Sequence, residues 1–173
     1  GMNGYFIQFE DSLTFFQRWY KHLSNPYKEG TSLTQEEVTK FMKKLVKEIK
    51  KRGLMLHRKG HGWHNLAFGI SEDPEFQPKP EEIPQEYLDL CAMVNGKREL
   101  TLNSPFLTQL CNSNPKVIEK IADAVTEYAL KNPETDYIHF WLSDHLNNSC
   151  ECEECIKKSC ADNYLNIVNE ITD

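Results

Sequence analysis

The sequence predicts an α/β fold in which about four parallel strands alternate with helices and a β-hairpin is inserted among them. Three observations predict it. A capped amphipathic helix spans Thr34 to Arg52, a short aromatic and β-branched run spans Ile138 to Leu142, and Asn95-Gly96 separates two extended runs. Four strands are too few to close the usual eight-stranded barrel.

Gly4 to Glu10 reads as the first strand, apolar and aromatic. Ser12 can cap a helix over Leu13 to His22, with Phe15, Phe16, Trp19 and Tyr20 on one face as expected core packing. Thr34 and Glu37 form a capping box. The helix they open carries Val38, Phe41, Met42, Leu45, Val46 and Ile49 at three- and four-residue spacing, and stops at Gly53. Leu54 to His57 reads as the second strand, delivering the loop Arg58 to His64 to the C-terminal end of the sheet.

Residues 71–86 are rich in Pro and Glu and read as a surface excursion. Tyr87 to Val94 and Lys97 to Leu102 are expected to pair as the hairpin, residues 87–102. Thr108 to Cys111 reads as a short third strand. Asn114 then caps a helix with Pro115 in its first turn and a buried stripe from Val117 to Tyr128. The run ending at Leu142 is the next strand, and Ala161 to Thr172 the last helix. The whole chain is expected to be one domain, residues 1–173.

The 173 residues suffice for a real core, and 39% hydrophobic with 27% charged is ordinary for a globular chain. A net charge of -6 argues against nucleic acid as a partner, which would need a basic face. The basic run from Lys43 to Arg52 alternates with apolar residues and reads as a solvated helix face. No stretch is apolar enough to span a membrane, and no export signal precedes the first strand. Gly1 before Met2 reads as a tag remnant.

Chemistry concentrates after the central strand. Cys150, Cys152, Cys155 and Cys160 crowd into one loop, too close for a disulfide framework. Thiolates at such spacing can share one ion, and tetrahedral zinc accepts four sulfurs in a structural role. Cys160 is the expected fourth ligand and Cys111 its rival; four free thiols are the plain alternative. Iron–sulfur spacing fits less well. No phosphate-cradling glycine loop occurs, so no organic cofactor is expected.

Asp144 follows the central strand, and Glu10 takes the matching place on the first. A carboxylate pair across a pocket is what glycoside hydrolysis requires, although a strand-end Asp equally caps a loop. His57, His61 and His64 fall around Gly60 and Gly62, where a lining or packing role is expected over metal binding. Trp63 can stack on a sugar ring or pack inward.

Four pieces of the chain carry a resemblance. They are Arg52-Gly53-Leu54 leading to Gly60-His61-Gly62-Trp63, the Asn95-Gly96-Lys97-Arg98 hairpin, Gln109-Leu110-Cys111 with Asn114-Pro115, and the loop from Asp144 to Cys155 followed by Tyr164 and Asn169. In these the chain resembles an uncharacterised bacterial family, common in gut bacteria, whose barrel is similar to those of α-glucuronidases and β-hexosaminidases. The resemblance implies a carbohydrate-active, glycosidase-like barrel. Asp144 matches its strand-end acid, His61 and Trp63 its pocket loop, and Cys150, Cys152 and Cys155 its cysteine cluster. The chain departs from it at Asp144-His145-Leu146-Asn147-Asn148 and in length, since family members continue through further strand–helix units.

The expected fold is therefore a partial TIM-type (β/α) barrel, and the expected protein a truncated glycoside hydrolase-like one. Asp144 and Glu10 are its candidate catalytic pair, and His61, Trp63, His57 and His145 contact the substrate. The alternative is a non-catalytic carbohydrate-binding or zinc-stabilised interaction module. Carbohydrate is the expected partner, and the exposed edges of a half-barrel predict self-association. Reduced cysteines and the missing export signal point to the cytoplasm, although a truncated gene would lose its signal.

Overall fold

A computed structural model describes residues 1–8, 13–73, 77–146 and 148–172. Ser12, the expected helix cap, and Glu10, the expected second carboxylate, lie outside them. The described chain forms two compact units. One comprises residues 1–59 and 134–139, the other residues 60–133 and 140–173.

The first unit holds β1 (Gly4–Ile7), α1 (Leu13–Lys21), α2 (Gln35–Lys51) and most of β2 (Met55–Gly60) and β5 (Tyr137–Phe140). The sheet order is β1-β2-β5, with Gly4 to Ile7 running parallel to Met55 to Arg58. The predicted capping box forms: Thr34 accepts from the Glu37 amide, and Glu37 accepts from the Thr34 amide at 2.8 Å. Gly53, past the end of α2, takes φ +66, the left-handed conformation that favours glycine. The apolar stripe of α2 turns Val46 and Ile49 onto Ile7 and Leu56, with Met42, Leu45 and Leu54 around them. Asp136 fastens this unit. Its carboxylate accepts from the Leu56 amide at 2.7 Å and from Lys50 at 2.6 Å.

The aromatic stripe of α1 does not enter a core. Phe16 meets Phe41 edge-on at 5.4 Å, but Phe15 and Trp19 remain 56% and 66% exposed. Periodicity identified a face, but α1 has no buried residue.

The second unit is largely helical. It contains α3 (Trp63–Ala67), α4 (Gln85–Leu90), a minimal hairpin of β3 (Met93–Val94) and β4 (Lys97–Arg98), α5 (Pro115–Lys131) and α6 (Cys160–Thr172). Asn114 caps α5 by accepting from the Lys116 amide at 2.9 Å, with Pro115 in the first turn. Trp63 packs against Tyr128 at 5.3 Å, and Phe140 stacks on Tyr164 at 5.7 Å. Val117, Ile121 and Ile167 are fully buried.

The partial barrel is overturned. The described chain has three parallel strands, a two-stranded antiparallel hairpin and six α-helices: a small α/β protein. The expected third strand, Thr108 to Cys111, contributes one antiparallel bridge between Leu110 and Cys91. Its backbone pairs with the end of α4 instead of with a strand: the Ala92 amide donates to the Gln109 carbonyl at 2.8 Å and the Cys111 amide to the Leu90 carbonyl at 2.9 Å. The first arm of the expected hairpin is mostly α4, whose Tyr87 and Leu90 are buried one turn apart. Asn95-Gly96 does form the turn, both residues having positive φ.

Leu56 is fully buried at the centre of the first unit's core. Leu56→Ala is expected to cost about 2–5 kcal/mol, read as a lower denaturant midpoint with an unchanged slope.

Candidate metal centre and the histidine–carboxylate pair

Cys111 lies between the Cys91–Leu110 bridge and the cap of α5. Its amide donates to the Leu90 carbonyl at 2.9 Å, and its carbonyl accepts from the Asn114 amide at 2.9 Å. The other three thiols come from the loop before α6. Met93 N–H donates to Cys150 Sγ at 3.2 Å, while the Glu151 amide donates to the Met93 carbonyl at 2.8 Å. Cys155 opens a 3-10 turn, and Asn163 of α6 holds its carbonyl at 3.0 Å.

These elements bring Cys111, Cys150, Cys152 and Cys155 together, with all four sulfurs within 4.8 Å of one another. Cys111 Sγ lies 3.6 Å from Cys152 Sγ and 3.8 Å from Cys155 Sγ. Thiolates about 2.3 Å from a central ion at tetrahedral angles stand about 3.8 Å apart. The four cysteines can therefore hold a metal ion. Cys111 takes the place expected of Cys160. Cys160 is exposed and turns its thiol to Ser149 Oγ at 3.4 Å. Between Cys155 and Cys160 the 3-10 turn and the start of α6 carry the last cysteine away.

Crowding divides the thiols electrically. Burial pushes Cys155 up to about 12 and raises Cys150. For Cys152 burial acts in the same direction. Hydrogen bonds from the Cys155 amide and from the Cys150, Cys111 and Ser113 side chains outweigh it, holding the thiol down to about 6. Ser113 was not anticipated as part of this group; its Oγ accepts from Cys155 at 3.0 Å.

A second arrangement surrounds His61. Gly62, which begins α3, has φ +89, and a Cβ there would stand 3.2 Å from a Glu72 carboxylate oxygen. The left-handed backbone is what favours glycine here. The His61 ring is buried between Phe106 and Trp141, at 5.9 and 5.0 Å, both edge-on. Its Nδ1 lies 2.8 Å from the Leu142 carbonyl and its Nε2 3.0 Å from Asp144 Oδ2. A carbonyl only accepts, so Nδ1 carries a hydrogen, and Nε2 faces the carboxylate, to which it donates when the ring is protonated. Asp144 is 75% exposed and open to solvent, and Trp141 is exposed too. The pair can pass a proton to a bound group or accept hydroxyl hydrogen bonds.

The remaining expected site residues lie elsewhere. Trp63 is 1% exposed, so its ring offers no face to a ligand; Trp141 is the exposed aromatic beside His61. His57 belongs to the first unit, where it stacks on Tyr137 and shares a hydrogen with His139 at 2.9 Å. Desolvation and then the charge of His57 lower His139. His145 lines a cavity of about 370 Å³ with Val94, Lys97, Leu102 and Asn148. His64 is buried, and its Nε2 has no partner among the described residues.

Comparisons with family models, with curated protein sequences and with solved structures gave no match. The function must therefore be read from these residues.

Burial lowers His64 to about 4, opposed by a hydrogen bond its ring makes to the Thr108 backbone carbonyl. The unfolded chain takes up this proton near pH 6.5 and the folded chain only near pH 4. Stability is thus complete above pH 6.5 and declines as pH falls towards 4. The loss attributable to His64 is on the order of 3 kcal/mol. His64→Gln is expected to show a shallower loss than wild type between pH 7 and pH 4 in urea titrations. Parallel curves would remove His64 as the cause.

Proposed function

We propose that this chain is a zinc-stabilised module that presents a carbohydrate-binding surface around His61, Trp141 and Asp144. The observation that carries the metal reading is the meeting of four thiols from two separate stretches at tetrahedral spacing. An all-sulfur set suits zinc and disfavours calcium or magnesium, which take oxygen ligands. A multi-iron cluster requires sulfurs on different irons, further apart than these four. Four sulfurs close the coordination sphere, so the ion's role is structural. It ties Cys111 to the loop of Cys150, Cys152 and Cys155, closing a long stretch of chain through a few bonds.

The carbohydrate reading is supported by chemistry of a kind sugars use. Trp141 offers an aromatic face, and Asp144 an exposed carboxylate steadied by a buried histidine. The resemblance noted in the sequence points the same way. A second reading, glycoside hydrolysis with Asp144 as the proton donor, is favoured by the His61–Asp144 hydrogen bond.

Elemental analysis of purified protein is expected to give about one zinc per chain. Cys111→Ser and Cys152→Ser should lose it and Cys160→Ser keep it; wild type without metal would refute the reading. A panel of oligosaccharides and aryl glycosides separates the two surface roles. Binding lost in Trp141→Ala without turnover supports the module. Turnover abolished by Asp144→Asn supports the hydrolase, and neither binding nor turnover removes both.

A further inference from the structure

Helix α1 is fastened in place, yet nothing among the described residues covers its aromatic face. The Thr31 amide donates to the Tyr20 carbonyl at 2.9 Å, and Gln17 Nε2 donates to the Leu33 carbonyl at 3.3 Å. Gly30 lets the returning chain close up: a Cβ there would stand 2.7 Å from the Lys21 carbonyl oxygen. Phe16 makes the contact with α2, edge-on to Phe41. Phe15 and Trp19 lie one turn apart with their rings stacked at 6.2 Å and 25°. Both are exposed, and so is Phe41. An aromatic strip already held in position loses little freedom when it is covered.

Positive charge borders the strip. α1 carries Arg18 and Lys21 in its last turn and no acidic residue. On α2, Lys44 follows Phe41 by one turn and Lys47 follows Lys44 by one more, and both are exposed. The acidic residues of α2 are already engaged. Glu36 pairs with Lys40, Glu37 serves the capping box, and Glu48 holds Lys51 and Arg52. Lys44 and Lys47 keep no carboxylate partner among the described residues. Residues 1–59 and 134–139 together hold twelve Lys and Arg against eight Asp and Glu, whereas the whole chain holds 20 against 26. The chain's positive charge thus gathers in the unit that exposes the aromatics.

Aromatic rings on one face with lysines along its border are the composition of a surface that lies in a membrane interface. No helix among the described residues is long and apolar enough to cross a membrane, and such a surface needs none. A second copy is disfavoured, because a two-fold contact would bring the same lysines face to face. Nucleic acid is disfavoured because lysine dominates this border, whereas surfaces that track phosphates favour the fork of arginine. We propose that α1 and the adjoining flank of α2 dock on an anionic lipid surface: Phe15 and Trp19 enter the headgroup region, and Lys44 and Lys47 meet the lipid charge.

The full chain is sedimented with vesicles of phosphatidylcholine alone and of phosphatidylcholine mixed with phosphatidylserine. Wild type is expected to partition onto the anionic vesicles, to stay free of the neutral ones and to dissociate as salt rises. Each lysine at an anionic surface is worth about fivefold, so K44Q/K47Q should weaken partition about 25-fold. F15A/W19A should weaken it about tenfold or more. K131Q, a surface change in the second unit, should match wild type. Wild type failing on anionic vesicles, or binding neutral ones equally, would overturn the proposal. So would either double variant partitioning like wild type, or K131Q losing as much as K44Q/K47Q. Binding to a single-stranded oligonucleotide without vesicle partition would overturn it in favour of nucleic acid. Self-association lost in F15A/W19A, again without vesicle partition, would overturn it in favour of a second copy. Urea titration checks that each variant folds; should F15A/W19A not fold, K44Q/K47Q and the salt series decide. Metal content enters none of these readouts, so this proposal and the zinc reading stand or fall separately.

Discussion

The second unit depends on the mutual crowding of four sulfurs. Cys111, Cys150, Cys152 and Cys155 come from segments with little regular secondary structure: the residue after a single bridge, a loop and a 3-10 turn. Such segments have few ladder hydrogen bonds to fix them. Gathering the sulfurs is unfavourable in itself, because a thiolate disfavours ionisation of the next, as burial and neighbouring charge show at Cys150 and Cys155. A divalent cation reverses that sign. The same proximity that penalises four thiols rewards four thiolates on one ion. One partial remedy is already in place, the Met93 amide that donates to Cys150 Sγ.

The architecture follows from which runs of chain found partners. β1 and β5 are mostly apolar or aromatic over four residues each, and they flank β2, whose His57, Arg58 and Lys59 follow the apolar Met55 and Leu56. The Thr108 to Cys111 run is similar in length, but it meets the end of α4, where one antiparallel bridge to Cys91 and the Ala92 and Leu90 backbone use its hydrogen-bonding groups. With three strands in the sheet, burial in the second unit falls to helices, and α5 packs against both α3 and α6.

Local signals were legible in the sequence. The Thr34–Glu37 box, Gly53, Asn114-Pro115 and Asn95-Gly96 each act within a few residues, so their structural meaning is fixed by nearby chain. Signals that depend on distant partners were less so. The stripe of α1 named a face but could not show that Phe15 and Trp19 would stay exposed. Cys160 follows the loop cysteines in sequence, yet Cys111 is nearer in space because the Cys91–Leu110 bridge delivers it. Trp63 and Trp141 exchanged their expected places, one entering the core and the other flanking His61.

The metal centre and the histidine–carboxylate pair are joined by one length of chain. The Leu142 carbonyl accepts from His61, the Ser143 hydroxyl donates to the Leu107 carbonyl at 2.6 Å, and Asn148 donates to the same carbonyl at 3.0 Å. Cys150 follows two residues later. Asp144 therefore stands in a short exposed arc whose beginning is tied to His61 and whose end runs into the thiol cluster. An exposed carboxylate would ordinarily sample many positions, and orienting it on binding would cost entropy. Anchoring the arc at both ends removes part of that cost beforehand. A structural ion at Cys150 would then act on Asp144 without touching it, by limiting where the arc can go.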